Sequence, residues 1–296
     1  MTAALLILPN FVLILVGLVL ARRFDYGRDF WAGLEKLVYY VLFPALLFRS
    51  LAVATLDLAS TGSVILAACA ITTVAFGLSL LARPLFRVEP LLAAATSQCA
   101  YRFNTYIGLA IAGSLFGTRG VAFTALMLGV LIPLVNFFAV AVLARHSERG
   151  FLREIVTHPL VISSFAGFAW NVAGLPLPAF ADQTLSLLAQ TALPAGLLSV
   201  GAAMRWEPGQ GPVAAHAWWL AIKLAALPAM AWAIARAAHF PAMEGALLVL
   251  SAALPTATSA YILAVRMAGD GRAVATQVSA GTLLSMATLP LWMAVA

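Results

Sequence analysis

Acidic side chains are scarce in this sequence: eleven Asp and Glu stand among 296 residues, against seventeen Lys and Arg. They are Asp25, Asp29, Glu35, Asp57, Glu89, Glu148, Glu154, Asp182, Glu207, Glu244 and Asp270, and every one lies in a polar break or at the end of an apolar run. No pair of carboxylates is therefore placed for acid–base work deep in an apolar segment. Cysteine is nearly absent too. Cys69 and Cys99 sit in apolar runs without a Cys/His cluster beside them, so they read as small buried side chains, not as a disulfide or metal pair. The four histidines (His146, His158, His216 and His239) lie far apart, at loops or segment ends. G-x-S-x-G, H-E-x-x-H, an Asp-rich diphosphate motif and a phosphate-cradling Gly-rich loop are all missing. The expectation is a protein that is not an enzyme, with no catalytic residue, no metal and no bound cofactor.

What fills the chain instead is hydrocarbon. Hydrophobic residues make up 63% of it, and charged residues only 9%, where a soluble domain carries about 45–50% apolar residues. Mean hydropathy is +1.00. Runs of 18–25 apolar residues follow one another, the length needed to cross a bilayer as helix. Ten such segments are read, at about 3–21, 32–54, 62–82, 90–117, 119–144, 158–176, 179–204, 215–238, 241–268 and 272–295. The fold class is all-α integral membrane, with the lipid bilayer as its solvent.

The first run has no positive n-region and is followed by Arg22, Arg23 and Arg28, which distinguishes it from a signal peptide. Breaks after odd-numbered segments hold eleven arginines, from Arg22 to Arg272, whereas those after even-numbered segments hold Arg49, Arg119 and Arg236. Positive loops face the cytoplasm. This puts the odd loops inside and both termini outside a cell (inner) membrane. The net charge of +6 thus reports topology, not nucleic-acid binding.

The two halves of the chain echo each other. At an offset of 150, Pro44 meets Pro194, Pro9 meets Pro159 and Gly17 meets Gly167. Further on, "YIGLA" (106–110) resembles "YILA" (261–264), and Pro133 and Pro290 hold similar places. Such an order suggests two repeats, 1–144 and 158–296, joined by a cytoplasmic linker at 145–157. A repeat of five spans, being odd, is inverted in its second copy, as in transporters whose site lies near the midplane. Pro44 and Pro194 read as kinks in segments two and seven.

Polar residues concentrate in segments four and nine: Gln98, Arg102, Asn104, Thr105 and Tyr106 in one, and Pro255, Thr256, Thr258 and Ser259 in the other. Pro255 lacks a backbone donor and clashes with the turn before it, which interrupts segment nine near its middle. A helix restarting there offers unpaired N–H groups and a positive dipole end, an anion site. Arg102 and Lys223 are the deepest ionisable residues, and both are cations. A buried cation costs about 2.5–3.5 kcal/mol or more. With no protein carboxylate at that depth, a carboxylate on the cargo is its natural partner. Arg102 can equally bind carbonyls bared at the helix break. Lys223 lies a turn or two from the cytoplasmic end, so it either extends back to the interface or stays inside as an electrostatic or coupling group, alongside Gln98. Tyr106 and Tyr261 serve as packing aromatics or as part of the site.

"LPNFVLILVGLVLA", "LVYYVLFPALLF", "YRFNTYIGLA", "LLSVGAAM" and "LPTATSAYILA", in this order over nearly the whole chain, resemble the auxin efflux carrier family. That resemblance implies two inverted five-helix repeats with helices four and nine broken and crossing. It further implies a scaffold of helices one, two, six and seven, an elevator-like transport domain and a homodimer, with Asn104 and residues 255–259 lining the site. The chain departs from the family in two places: it lacks the long hydrophilic loop of plant members, and no proline follows Asn104. The expected function is secondary transport of a small organic anion, a mono- or dicarboxylate such as malate, malonate or an auxin-like acid. A membrane sensor that binds such a ligand without moving it is the alternative. Uniport, proton symport and sodium coupling through exposed carbonyls are all compatible with the sequence.

Overall fold

A computed structural model describes residues 3–24, 26–54, 58–143, 159–207, 211–266 and 271–296. The 145–157 linker, with Arg145, Arg149 and Arg153, lies outside these residues. The described residues form helices and no strands. In chain order they are α1 (Ala3–Arg23), α2 (Arg28–Ala52), α3 (Leu58–Leu80), α4 (Ala82–Phe86), α5 (Pro90–Ser97), α6 (Thr105–Leu143), α7 (Pro159–Val172), α8 (Ala179–Ala203), α9 (Val213–Ala237), α10 (Ala242–Ala253), α11 (Ser259–Arg266) and α12 (Gly271–Val295). Seven helical stretches among the described residues are long and apolar enough to cross a membrane, and α7 and α10 are shorter apolar helices.

One of the seven, Pro90–Leu143, has 54 residues. At 1.5 Å per residue it would reach roughly 80 Å, far beyond a bilayer core of about 30 Å. It is not straight. The chain leaves helical geometry at residues 101–104, and Gly117 inside α6 adopts φ +59° and ψ −150°, a conformation open to glycine. The second apolar run begins earlier than its hydropathy suggests, because Arg28–Leu37 is an amphipathic helix with no buried residue. It continues through a π-helical turn at Val38–Leu42 into Phe43–Ala52. A second π turn, Ile222–Ala226, precedes Pro228 in α9. In both helices the wider turn lies just ahead of a proline, where the ring would otherwise press on the carbonyl of the preceding turn.

Two compact units are distinguishable, and each draws on both halves of the chain. The first comprises Met1–Thr61, Tyr106–Val130 and Leu152–Ala203. In it α1 packs along α8, and the second part of α2 along α7. Both contacts are backbone-close. A Cβ on Gly17 would overlap the carbonyl oxygen of Leu198, and one on Gly167 would come within 2.5 Å of the carbonyl oxygen of Phe48. These pairs correspond at the sequence offset of 150: Gly17 to Gly167, and Phe48 to Leu198. Pro44 follows the π turn of α2, and Pro194 lies inside the continuous α8. Arg49 forms a bidentate ion pair with Asp182 at 2.7 and 3.1 Å.

The second unit comprises Gly62–Thr105, Leu131–Phe151 and Met204–Ala296. Small side chains let its interrupted helices approach: Ala94, Ala95 and Cys99 pack with Ala260 and Ala264 of α11 and with Val274 and Val278 of α12. Indoles set the height of α9. Trp218 and Trp219 donate to the carbonyls of Leu78 and Ser79 at the end of α3, each at 3.0 Å, and Trp292 of α12 donates to the Leu224 carbonyl at 2.9 Å.

Candidate functional site

The first interruption has no proline to cause it. Towards the end of α5 the polar side chains take carbonyls of their own helix. Thr96 donates to Leu92, Ser97 to the Ala94 carbonyl at 3.2 Å, and the Gln98 amide to Ala95 at 2.8 Å. Such back-bonding offers the backbone an alternative to the helical ladder. The helix tightens into a 3-10 turn at Gln98–Ala100 and stops. The N–H of Arg102 closes the end by donating to the Gln98 carbonyl at 2.9 Å.

The second interruption follows from Pro255. Leu254, ahead of it, has φ −58° and ψ +140°, the extended geometry that a following proline imposes. α10 therefore ends at Ala253 and α11 begins at Ser259.

Each break satisfies the other. The Asn104 N–H donates to the Pro255 carbonyl at 2.7 Å, and the Thr256 hydroxyl donates to the Cys99 carbonyl at 2.6 Å. Asn104 and Thr256 are both buried, as irregular backbone at membrane depth must be. Thr256 thus spends its proton on the crossing itself, whereas Thr258 is half-buried and Ser259 exposed.

Arg102 lies across this junction. Its guanidinium donates to Gln98 Oε1 at 3.2 Å, to Asn136 Oδ1 at 2.8 Å and to Ser259 Oγ at 3.3 Å. These three acceptors are neutral. They hold the planar fork in place. Asn136, on α6, was not singled out by the sequence reading; its signal was a lone amide in the apolar run "LIPLVNFFAVAV".

Lys223 does not reach back to the helix end. Its side chain is 1% exposed, and Nζ donates to the Ala252 carbonyl at 3.0 Å, on the last turn of α10. The helical partner of that carbonyl would be the N–H of Thr256, which the break removes. The ammonium therefore caps the negative end of a half-helix. Beside it is a narrow pocket with room for about one water, lined by Thr72, Tyr101, Leu131, Ser251 and Ala252 among others.

Of the residues proposed from sequence, Gln98, Arg102, Asn104, Thr105, Lys223, Pro255, Thr256, Thr258 and Ser259 belong to the second unit. Tyr106, Pro44 and Pro194 belong to the first. There Tyr106 stacks on Phe43, with ring centroids 4.3 Å apart, and the missing side chain of Gly196 leaves room for the Phe43 ring. No group of three His, Cys, Asp or Glu among the described residues is arranged to hold a metal.

Residues 141–293, just over half of the chain, match the profile of a family described as membrane transport protein. A "Putative malonate transporter" of Rhizobium meliloti is 26% identical over 306 residues, covering 96% of this chain and 92% of that protein. An "Uncharacterized transporter" of Methanothermobacter thermautotrophicus is 26% identical over 295 residues, covering 97% and 96%.

Proposed function

Since this chain belongs to the membrane transport protein family, in which its motifs mark it as auxin-efflux-carrier-like, we propose that it is a secondary carrier of small organic anions. The cargo class is mono- and dicarboxylates, with malonate and malate as first candidates. The observation that carries this reading is the pair of buried helix interruptions bonded to each other through Asn104 and Pro255, with the Arg102 guanidinium held beside them on neutral acceptors. A fixed cation next to a restarting helix favours a carboxylate over a neutral or cationic ligand. Thr258 and Ser259 are the hydroxyls placed to donate to it, Asn104 and Thr105 frame it, and Thr256 and Pro255 hold the crossing.

The architecture in this proposal is ten spans in two inverted repeats. Counting Pro90–Leu143 as two spans, and adding α7 and the interrupted α10–α11, takes the seven long stretches to ten. The matched glycine contacts at offset 150 support the repeat. On this reading α1, α2, α7 and α8 form the scaffold of an elevator-type carrier, working as a homodimer in the cytoplasmic membrane with both termini outside. Alternating access then carries the crossing between the two faces.

A thermal-shift screen of the purified protein against malonate, malate, acetate and indole acetate tests the cargo class. Concentration-dependent stabilisation by at least one carboxylate is expected. Stabilisation by none, or by neutral amides equally, contradicts it.

A further inference from the structure

The carbonyl end of a half-helix is where interrupted-helix transporters coordinate a coupling cation. In this protein that position is taken. Lys223 Nζ donates to the Ala252 carbonyl, from α9 to the last turn of α10, and is buried to 1% exposure. Around it the polar lining is oxygen. The hydroxyls of Thr72 and Ser251, two residues of that lining, give their protons to the carbonyls of Ala68 and Leu248, each at 2.7 Å. The Tyr101 hydroxyl is buried without a hydrogen-bond partner. Thr72 of α3, Tyr101 of the first break and Ser251 and Ala252 of α10 thus line, with apolar neighbours, a space for one water-sized body, and no ion pair among the described residues involves Lys223. Oxygen donors at the carbonyl end of a half-helix are what interrupted-helix transporters offer a sodium ion. When protonated, the Lys223 amine is a compact point charge on a flexible stem and supplies the same +1 without an ion.

We infer that Lys223 is a tethered cation standing where a coupling sodium ion would otherwise bind, so that this protein needs no sodium. The pocket is then the remnant of an ion site, and removing the lysine recreates it. The site stands independently of the cargo; only its consequence for coupling rests on the carrier reading.

The test is the melting temperature of detergent-purified protein in sodium chloride against N-methyl-D-glucamine chloride at equal ionic strength. The native protein should melt at the same temperature in both, within about 1 °C. Lys223→Ala, which vacates the ammonium position, should be stabilised by sodium by about 5 °C at saturation. Lys223→Met, which fills the space with an apolar stem, should stay indifferent to sodium. Stabilisation of the native protein by sodium overturns the inference, as does a monodisperse Lys223→Ala protein that ignores sodium. Should Lys223→Ala yield no folded protein in sodium, the inference also fails, because sodium is predicted to replace the missing charge. None of these readings uses a carboxylate, so a wrong cargo class leaves the result interpretable.

Discussion

The N–H of Asn104 and the carbonyl of Pro255, 151 positions apart in sequence, are joined by a 2.7 Å hydrogen bond. Both groups lie in the non-helical stretches, Asn104 in 101–104 and Pro255 in 254–258. The bond makes two defects one structure. It is supported from one side by Thr256 on Cys99 and from the other by Arg102 on Ser259.

Thr256→Val should show what the side-chain bond contributes. Valine keeps the shape and leaves the Cys99 carbonyl buried without this donor, a loss of about 1–3 kcal/mol. The melting temperature should fall by several degrees, and Thr256→Ser should recover most of it.

Asn136→Asp should separate field from framework. The new carboxylate stays within 3 Å or so of the Arg102 guanidinium by the geometry of the present 2.8 Å bond and neutralises it. We expect unchanged or raised thermal stability, with the apparent affinity for malonate weakened about tenfold or more. Unaltered affinity would mean that Arg102 only braces the crossing.

Gly17→Ala and Gly167→Ala should be comparably damaging, because each pushes a Cβ into the carbonyl of the partner helix. A loss of about 2 kcal/mol or more is expected for each. Gly77→Ala on α3, where nothing lies within 4 Å of the added carbon, should stay within about 0.5 kcal/mol of the native protein. Melting curves of the three variants decide this.

Much of the fold was legible because a bilayer leaves few choices. Apolar runs of the right length become helices, and the described helices fall on those runs. The break at Pro255 was legible for a covalent reason, since the missing N–H is written in the residue. The break before Asn104 carries no such mark and was expected only from the family resemblance. Thr96, Ser97 and Gln98 turn back on their own carbonyls there, but Thr72, Ser199 and Thr282 do the same inside uninterrupted helices, so these side chains do not mark a break. Lys223 was ambiguous for a related reason: a four-carbon stem reaches in either direction, and only the freed Ala252 carbonyl decides which. Asn136 was missed because its importance lies in Arg102, 34 residues away.

The central claim is best tested by malonate counterflow into proteoliposomes loaded with unlabelled malonate. The native protein should accumulate labelled malonate transiently above the level of protein-free vesicles, and Arg102→Ala should reduce the initial rate at least tenfold while remaining folded. Saturable malonate binding without counterflow would make the protein a sensor instead. Counterflow unchanged in Arg102→Ala would contradict the site.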